Sequence, residues 1–391
     1  MLNQAVIFCG GFGKRLMPIT KKIPKPMVNV NAKPFLFHLI QQCKSKGIKK
    51  ILLLCGYKSD VIQKYFGSGK KIGITIQYHI NPPEIETYQR IYNARNLLEK
   101  EFLLLYSDNY SSLNLHDLFS NYKKLKSKLI ISLCKKRNGN ITIDKKNKII
   151  SKYFFSKTKK ADFVEIGYMI VNKKIIISNY PNTNVSFNFF IDKFADKKKV
   201  NYFFNDTGYL SISDLKRLNK LRFFFKSNYI LTDRDGVLNQ KNKNHFYIRN
   251  LQELKINYIF IRKLKKIIKN CKLLCISNQA GIATGDLTYK NLKKINNKIK
   301  LELKKYKIYL KDFFISPHHY RSNHFYRKPN HGLFLKAAKE YCIILDRTFY
   351  VGDDKRDVEA AYNAKTKCWY VGNEKLNKKL KKKFKYTIIS I

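Results

Sequence analysis

Ala5-Val6-Ile7-Phe8-Cys9-Gly10-Gly11-Phe12-Gly13-Lys14-Arg15-Leu16 begins as an apolar run and turns at once into three glycines and two basic residues. The run has the length and composition of a buried strand. The glycines let a backbone approach a polyphosphate closely with its amide groups directed inward, and Lys14 and Arg15 can neutralise the phosphate oxygens. A glycine loop alone is as readily a tight turn, so the surroundings decide. Outward from it, apolar runs at 51–55, 74–78, 102–106, 129–133 and 168–171 alternate with polar, helix-like stretches. Such alternation predicts α/β architecture.

The pattern then restarts. Ser213-Asp-Leu-Lys-Arg-Leu reads as a capped helix closing the first half. A new strand at 229–232 runs into Asp233. Further strands are expected at 273–277, 313–316, 348–351 and 368–371, with helices over 257–269 and 289–305. A chain of 391 residues exceeds one ordinary core. Two domains are predicted, 1–225 and 226–391.

Composition narrows the function classes. A hydrophobic fraction of 44% excludes global disorder. No apolar run approaches the ~18 residues of a membrane span, and no basic, apolar leader precedes the first strand. Eight scattered cysteines without a C-x-x-C pair read as reduced core residues. A cytoplasmic location follows as the expectation. The net charge of +52 raises nucleic acid as a partner. However, 66 of the 79 basic residues are Lys, spread over the chain apart from a dense run at 378–385, which fits a general compositional bias. Nucleic acid and membrane are therefore not expected as partners, and the charge should attract phosphorylated metabolites.

The first loop continues as Leu16-Met17-Pro18-Ile19-Thr20, then Pro24-Lys25-Pro26-Met27. With these residues the first half, roughly 1–220, resembles the sugar-phosphate nucleotidyltransferases, which join a sugar 1-phosphate to a nucleoside triphosphate and release pyrophosphate. The resemblance implies a Rossmann-like domain with a mostly parallel sheet. It places Gly10, Gly11, Gly13, Lys14 and Arg15 on the triphosphate and Lys25 between the reacting phosphates. It makes Asp108, in Leu-Tyr-Ser-Asp-Asn, and Asp206, in Asn-Asp-Thr-Gly-Tyr, the ligands of a catalytic Mg²⁺. Lys157 would grip the sugar phosphate and Gly167 would lie beside the sugar. The chemistry agrees: the nucleophile is already an anionic phosphate, so positive charge and in-line placement matter more than a general base. Two segments depart from the family. Glu86-Thr87-Tyr88-Gln89-Arg90-Ile91 stands where a Leu-Gly-Thr-rich segment reads the base, and Glu165-Ile166 precedes the sugar-side glycine.

In the second half, Ile230-Leu-Thr-Asp233-Arg-Asp235-Gly-Val-Leu-Asn sets two carboxylates at i and i+2 after a buried strand. One can attack phosphorus while the other handles protons; the same pattern also suits a turn or a calcium-type loop. Ser277-Asn278-Gln279, Arg327-Lys328-Pro329 and Val351-Gly352-Asp353-Asp354 follow later strands, so four motifs would converge at the carboxyl edge of a parallel sheet. Together they resemble the haloacid-dehalogenase-type phosphatases, nearest the branch with heptose bisphosphate and histidinol phosphatases. The resemblance implies a Rossmannoid fold with Asp233 as nucleophile and Asp235 as general acid/base. Lys328 would be the neutralising lysine, and Ser277, Asn278 and Arg327 would grip substrate. Asp233, Asp235 and Asp353 would hold Mg²⁺, with Asp354 and Asp357 in support. Where that branch carries a cysteine-containing zinc loop, this chain has Ser316-Pro-His318-His319 and His324-Phe-Tyr326, so structural zinc is not expected.

The two halves fit one sequence of reactions. A sugar bisphosphate, by resemblance D-glycero-D-manno-heptose 1,7-bisphosphate, loses a phosphate in the second half, and the sugar 1-phosphate receives a nucleotidyl group, by resemblance guanylyl, in the first. A phosphatase of other specificity fused to a hexose 1-phosphate transferase, or to a non-catalytic nucleotide-binding module, is the alternative. Sequence leaves the oligomeric state open.

Overall fold

The computed structural model describes residues 2–242, 247–268, 271–384 and 387–389. Lys269 and Lys385, the last residues of a predicted helix and of the basic terminal run, lie outside them. The chain forms two compact units, Met1–Arg222 and Phe223–Ile391.

The first unit is built on nine strands: β1 (Gln4–Cys9), β2 (Lys50–Cys55), β3 (Thr75–Ile80), β4 (Glu101–Tyr106), β5 (Leu129–Lys135), β6 (Ile141–Asp144), β7 (Ile149–Tyr153), β8 (Phe163–Asn172) and β9 (Asn201–Phe204). They form one sheet in the order β3-β2-β1-β4-β8-β5-β9-β7-β6. β1 to β4 run parallel, and β8 runs antiparallel to both β4 and β5. The runs in β1, β2 and β4 are continuously apolar because both faces are covered. Ile7, Leu53 and Leu105 enter one core, while Val6, Leu52 and Leu104 enter the other. β1 lies between β2 and β4, so the glycine loop leaves the sheet where the strand order reverses, the position at which such sheets bind ligands.

Among the described residues the second unit has six strands: β10 (Tyr229–Thr232), β11 (Lys272–Asn278), β12 (Leu310–Ser316), β13 (Phe349–Gly352), β14 (Lys367–Tyr370) and β15 (Ile388–Ile389). All are parallel, in the order β12-β11-β10-β13-β14-β15. β10 again sits at the reversal, and the carboxyl ends of β10, β11 and β13 carry Asp233, Asn278 and Asp353. The fold is α/β in both units, as the alternating pattern implies.

The capped helix expected from 213 spans Leu215–Phe225, and Asp214 caps it: Asp214 Oδ1 accepts the Arg217 N–H. The Ser213 hydroxyl accepts from Arg217 Nη1 at 2.6 Å. One local reading is corrected. Six of the eight cysteines are buried, whereas Cys271 and Cys342 are half-buried. Among the described residues no helix is long and apolar enough to cross a membrane.

Candidate active sites

In the first unit the loop after β1 forms one wall of a cleft of about 480 Å³. Gly10, Gly11, Gly13, Lys14, Arg15 and Lys25 all line it, as does Asp108 just beyond β4. Lys25 Nζ donates to Asp108 Oδ2 at 2.6 Å, with the two side chains 15% and 27% exposed. The loop and Lys25 thus bring three basic side chains to one space, and the Asp108 carboxylate is paired to one of them. Residues 83–87 and Arg90 form the opposite wall.

Asp206 is not brought into this cleft. The short strand Leu210–Ser211 pairs antiparallel with Asn109–Tyr110, and the Ile212 N–H donates to the Asp108 carbonyl at 2.9 Å. That register sets Ile212 beside Asp108 and leaves Asp206, six residues earlier, on the exposed turn after β9. Ser213 is the residue of this segment that lines the cleft. Lys157 is likewise exposed on a loop and does not line it. Gly167 is buried in β8, where a Cβ would come within 3.2 Å of Tyr106 and Asn109.

Beside Gly167, Glu165 is a buried carboxyl whose Oε2 has no hydrogen-bond partner among the described residues. Burial, reinforced by the Asp108 charge, pushes it up to about 8. In the unfolded chain it ionises near 4.5. The native state therefore holds the extra proton, and this contribution to stability is complete below pH 4.5 and disappears as pH rises to 8. The thermal midpoint of the full chain should fall between pH 5 and pH 8.5. Glu165→Gln, which cannot ionise, should remove several degrees of that fall; an unchanged pH slope in the variant would refute the assignment.

In the second unit, Asp233, Lys328, Asp353 and Arg327 line a cleft of about 840 Å³, with Asp235, Ser277 and Asn278. Lys328 Nζ, 3% exposed, lies 2.9 Å from Asp233 Oδ2 and 2.7 Å from Asp357 Oδ1, and it also donates to the Ile276 carbonyl and the Tyr350 hydroxyl. Burial works against the ammonium, but Asp233 and Asp357 hold it above its ordinary value. Burial raises the Asp233 carboxyl, with Lys328 opposing. Gly236 follows with φ +85°, and a Cβ there would meet Asp353 Oδ2 at 2.1 Å, so only glycine permits the turn that brings the β10 and β13 ends together.

Asp233, Asp353 and Asp357 offer ligand atoms within 4.8 Å of one another, so the structure groups Asp357 with them in place of Asp235. Asp357 is already saturated: Oδ1 takes Lys328 and Tyr350, and Oδ2 takes the N–H groups of Asp353 and Asp354. Asp353 Oδ1 is buried with no partner, while its Oδ2 pairs with Lys241 at 2.6 Å. Asp235 sits in a cage instead. Arg234 grips it bidentately, and Asn239 and Gln279 donate to it at 2.9 and 2.7 Å. Burial opposes its charge, yet the Arg234 charge and these hydrogen bonds hold it below the usual carboxylate range. As arranged, Asp235 is set to accept a proton rather than give one. Asn278 exchanges hydrogen bonds of 3.0 Å with both the N–H and the carbonyl of Lys328, which makes it a clamp on the lysine backbone.

In the segment 316–326 the His318 and His324 rings stack with centroids 3.3 Å apart, and Ser316 Oγ is buried without a partner. Two imidazoles and a hydroxyl do not supply the four N or S donors of a structural zinc site.

Residues that the sequence reading passed over carry much of this geometry. Arg234 and Gln279 each neighbour a flagged motif residue, and a buried D-R-D triplet could have pointed to an internal ion pair. Asp357, expected in a supporting role, lies at the i+3 position of a capping box started by Asp354.

A strand-to-glycine-loop turn at a sheet's reversal point, facing a lysine–aspartate pair, defines a nucleotide-handling α/β enzyme. The chain belongs to the Nucleotidyl transferase family, which matches residues 4–211. Residues 228–388 match a second family, Polynucleotide kinase 3 phosphatase. The protein is thus an enzyme that joins a nucleotidyltransferase unit to a phosphatase-type unit. The D-glycero-alpha-D-manno-heptose 1-phosphate guanylyltransferase of Campylobacter jejuni is 32% identical over 198 residues, covering 50% of this chain and 88% of that protein. A probable glucose-1-phosphate cytidylyltransferase of Bacillus subtilis is 27% identical, over 44% of this chain and 76% of its own length. Among solved structures, HddC from Yersinia pseudotuberculosis superposes with a TM-score of 0.51 at 26% identity, covering 57% of this chain and all of that one.

Proposed function

We propose that the second unit removes one phosphate from a sugar bisphosphate, D-glycero-D-manno-heptose 1,7-bisphosphate, and that the first unit couples the sugar 1-phosphate to GTP with release of pyrophosphate. The observation that carries this reading is the Asp233–Lys328–Asp357 cluster, a phosphate-cleaving arrangement, fused to a unit whose relatives include heptose 1-phosphate guanylyltransferases.

In the second unit Asp233 Oδ attacks phosphorus, the bond between phosphorus and the sugar oxygen breaks, the departing sugar oxygen takes a proton from water, and an aspartyl-phosphate forms. Lys328 offsets the charge on Asp233 and on the phosphoryl oxygens. Asp235 then takes a proton from the water that hydrolyses the aspartyl-phosphate. Asp233 and the unpartnered Oδ1 of Asp353 fit Mg²⁺, a hard cation that takes carboxylate oxygens and keeps room for phosphate oxygens. In the first unit one carboxylate, Asp108, stands at the phosphate end of the cleft, and one carboxylate plus nucleotide phosphates is a usual Mg²⁺ environment. When bound, the ion would add positive charge on the reacting phosphates. The chain's own part is to hold them: the glycine-loop amides, Lys14 and Arg15 fix the triphosphate, and Lys25 faces the α-phosphate.

The test is a product assay with the full chain, Mg²⁺, heptose 1,7-bisphosphate and each nucleoside triphosphate, read by mass spectrometry. GDP-heptose with equivalent phosphate and pyrophosphate is the expected result. A panel of histidinol phosphate, hexose 1-phosphates and a 3′-phosphorylated oligonucleotide belongs beside it. Turnover of the oligonucleotide in preference to the sugar would overturn the reading.

A further inference from the structure

The wall of the first cleft formed by residues 83–87 has an unusual division of its polar groups. Arg90, 2% exposed, lies behind it and faces no carboxylate within hydrogen-bonding distance; its guanidinium is held by backbone carbonyls. It donates to the carbonyls of Asn81, Pro82, Pro83 and Ile85 at 2.8–3.4 Å, and to that of Cys55 at 2.5 Å. Asn184 takes the remaining ones in hand: its Nδ2 donates to the Glu84 carbonyl, and its Oδ1 accepts the Glu86 N–H. The Glu86 carbonyl accepts the Arg90 N–H as the helix Thr87–Asn93 begins. Every carbonyl from 81 to 86 is therefore turned away from the cleft or already engaged.

The acceptors left on this wall are the carboxylates of Glu84 and Glu86. Both line the cleft, both are exposed, and neither has a hydrogen-bond or ion-pair partner among the described residues. In a chain with 79 basic and 27 acidic residues, two unpaired carboxylates in a cleft that takes a polyanion call for a function. Beside the triphosphate they would repel it, so they belong to the end of the nucleotide that offers donors. An ionised carboxylate only accepts, through two oxygens side by side. Guanine matches this, with N1–H and the 2-amino group adjacent on one edge. Adenine and cytosine place a ring acceptor beside their amino group, and uracil flanks its single N–H with carbonyls, so each would turn a lone pair toward the carboxylate.

We propose that Glu84 and Glu86 select guanine in this cleft by accepting from its N1–H and 2-amino group, and that Arg90 is a positioning residue that keeps the wall's carbonyls out of the way. The inference rests on the guanylyl reading of the first unit and deepens it. Equilibrium titration of the full chain with GTP, ITP and ATP reads it without any turnover. ITP lacks only the 2-amino group, so wild type should bind GTP about 10-fold or more tighter than ITP, the scale of a lost hydrogen bond to a charged group. In Glu84→Gln/Glu86→Gln that ratio should fall toward one, and the single variants should show which carboxylate dominates. A GTP preference that survives the double substitution would overturn this inference alone. A uniform loss of affinity for all three nucleotides in the variants would put the carboxylates on the ribose and also overturn it. A wild-type preference for ATP over GTP would overturn the guanylyl reading and this inference together.

Discussion

Asp233→Asn in the full chain should lower phosphate release from a sugar bisphosphate by about 10⁴-fold or more, the range seen when a covalent nucleophile is removed. An amide does not attack phosphorus, so no aspartyl-phosphate forms. The fold should tolerate the change. Asp233, Asp235 and Asp357 are three acids in one buried region, and burial already raises Asp233, so a neutral side chain relieves crowding. Lys328 keeps Asp357 at 2.7 Å as a counter-ion. The reverse substitution is a poorer probe. Lys328→Met would strand Asp233 and Asp357 without a cation, and breaking a buried pair costs about 3–5 kcal/mol. Pyrophosphate release from GTP and a supplied sugar 1-phosphate should stay at the wild-type level, because the transferase cleft lies wholly within residues 1–222. Loss of both activities in folded Asp233→Asn would contradict two separate sites.

What sequence showed and what it hid divide along a physical line. Strands buried on both faces are written as short unbroken apolar runs, and motifs placed directly after such runs land at a sheet's carboxyl edge by geometry alone. That is why Gly10, Asp108, Asp233 and Asp353 could be placed in sequence. Asp206 could not, because its position depends on which residues of two short strands face each other. The D-x-G spelling at 206–208 says nothing of that register, whereas the Ile212–Asp108 hydrogen bond fixes it. Asp235 was visible as a carboxylate, but its protonation preference is set by Arg234, Asn239 and Gln279, whose convergence is tertiary. Arg90 looked like a departure from a familiar segment. Only coordinates show that its five carbonyl partners come from two separate stretches of chain. The change of unit falls inside the helix Leu215–Phe225, three residues before the boundary expected where the strand pattern restarts.

Asp108→Ala and Asp206→Ala form the second decisive pair, since the two residues look alike in sequence and differ in place. Asp108 lines the cleft together with the glycine loop and is the partner of Lys25. Its loss removes a candidate Mg²⁺ ligand and also frees an ammonium that is 15% exposed and held in line by that ion pair. Removing one preorganised group that stabilises developing charge typically costs about 10²–10³ in rate, and nucleotidyl transfer should fall by at least that much while phosphate release is unchanged. Asp206 stands on an exposed turn outside the cleft, so Asp206→Ala should leave transfer within about twofold of wild type, as for most surface changes away from a site. Titrating the rate with Mg²⁺ separates the cases further. Asp108→Ala should need more metal to reach half-maximal rate, and Asp206→Ala should need the same amount as wild type. If Asp206→Ala lost transfer and shifted the Mg²⁺ requirement, the turn after β9 would have to close onto Asp108 during turnover.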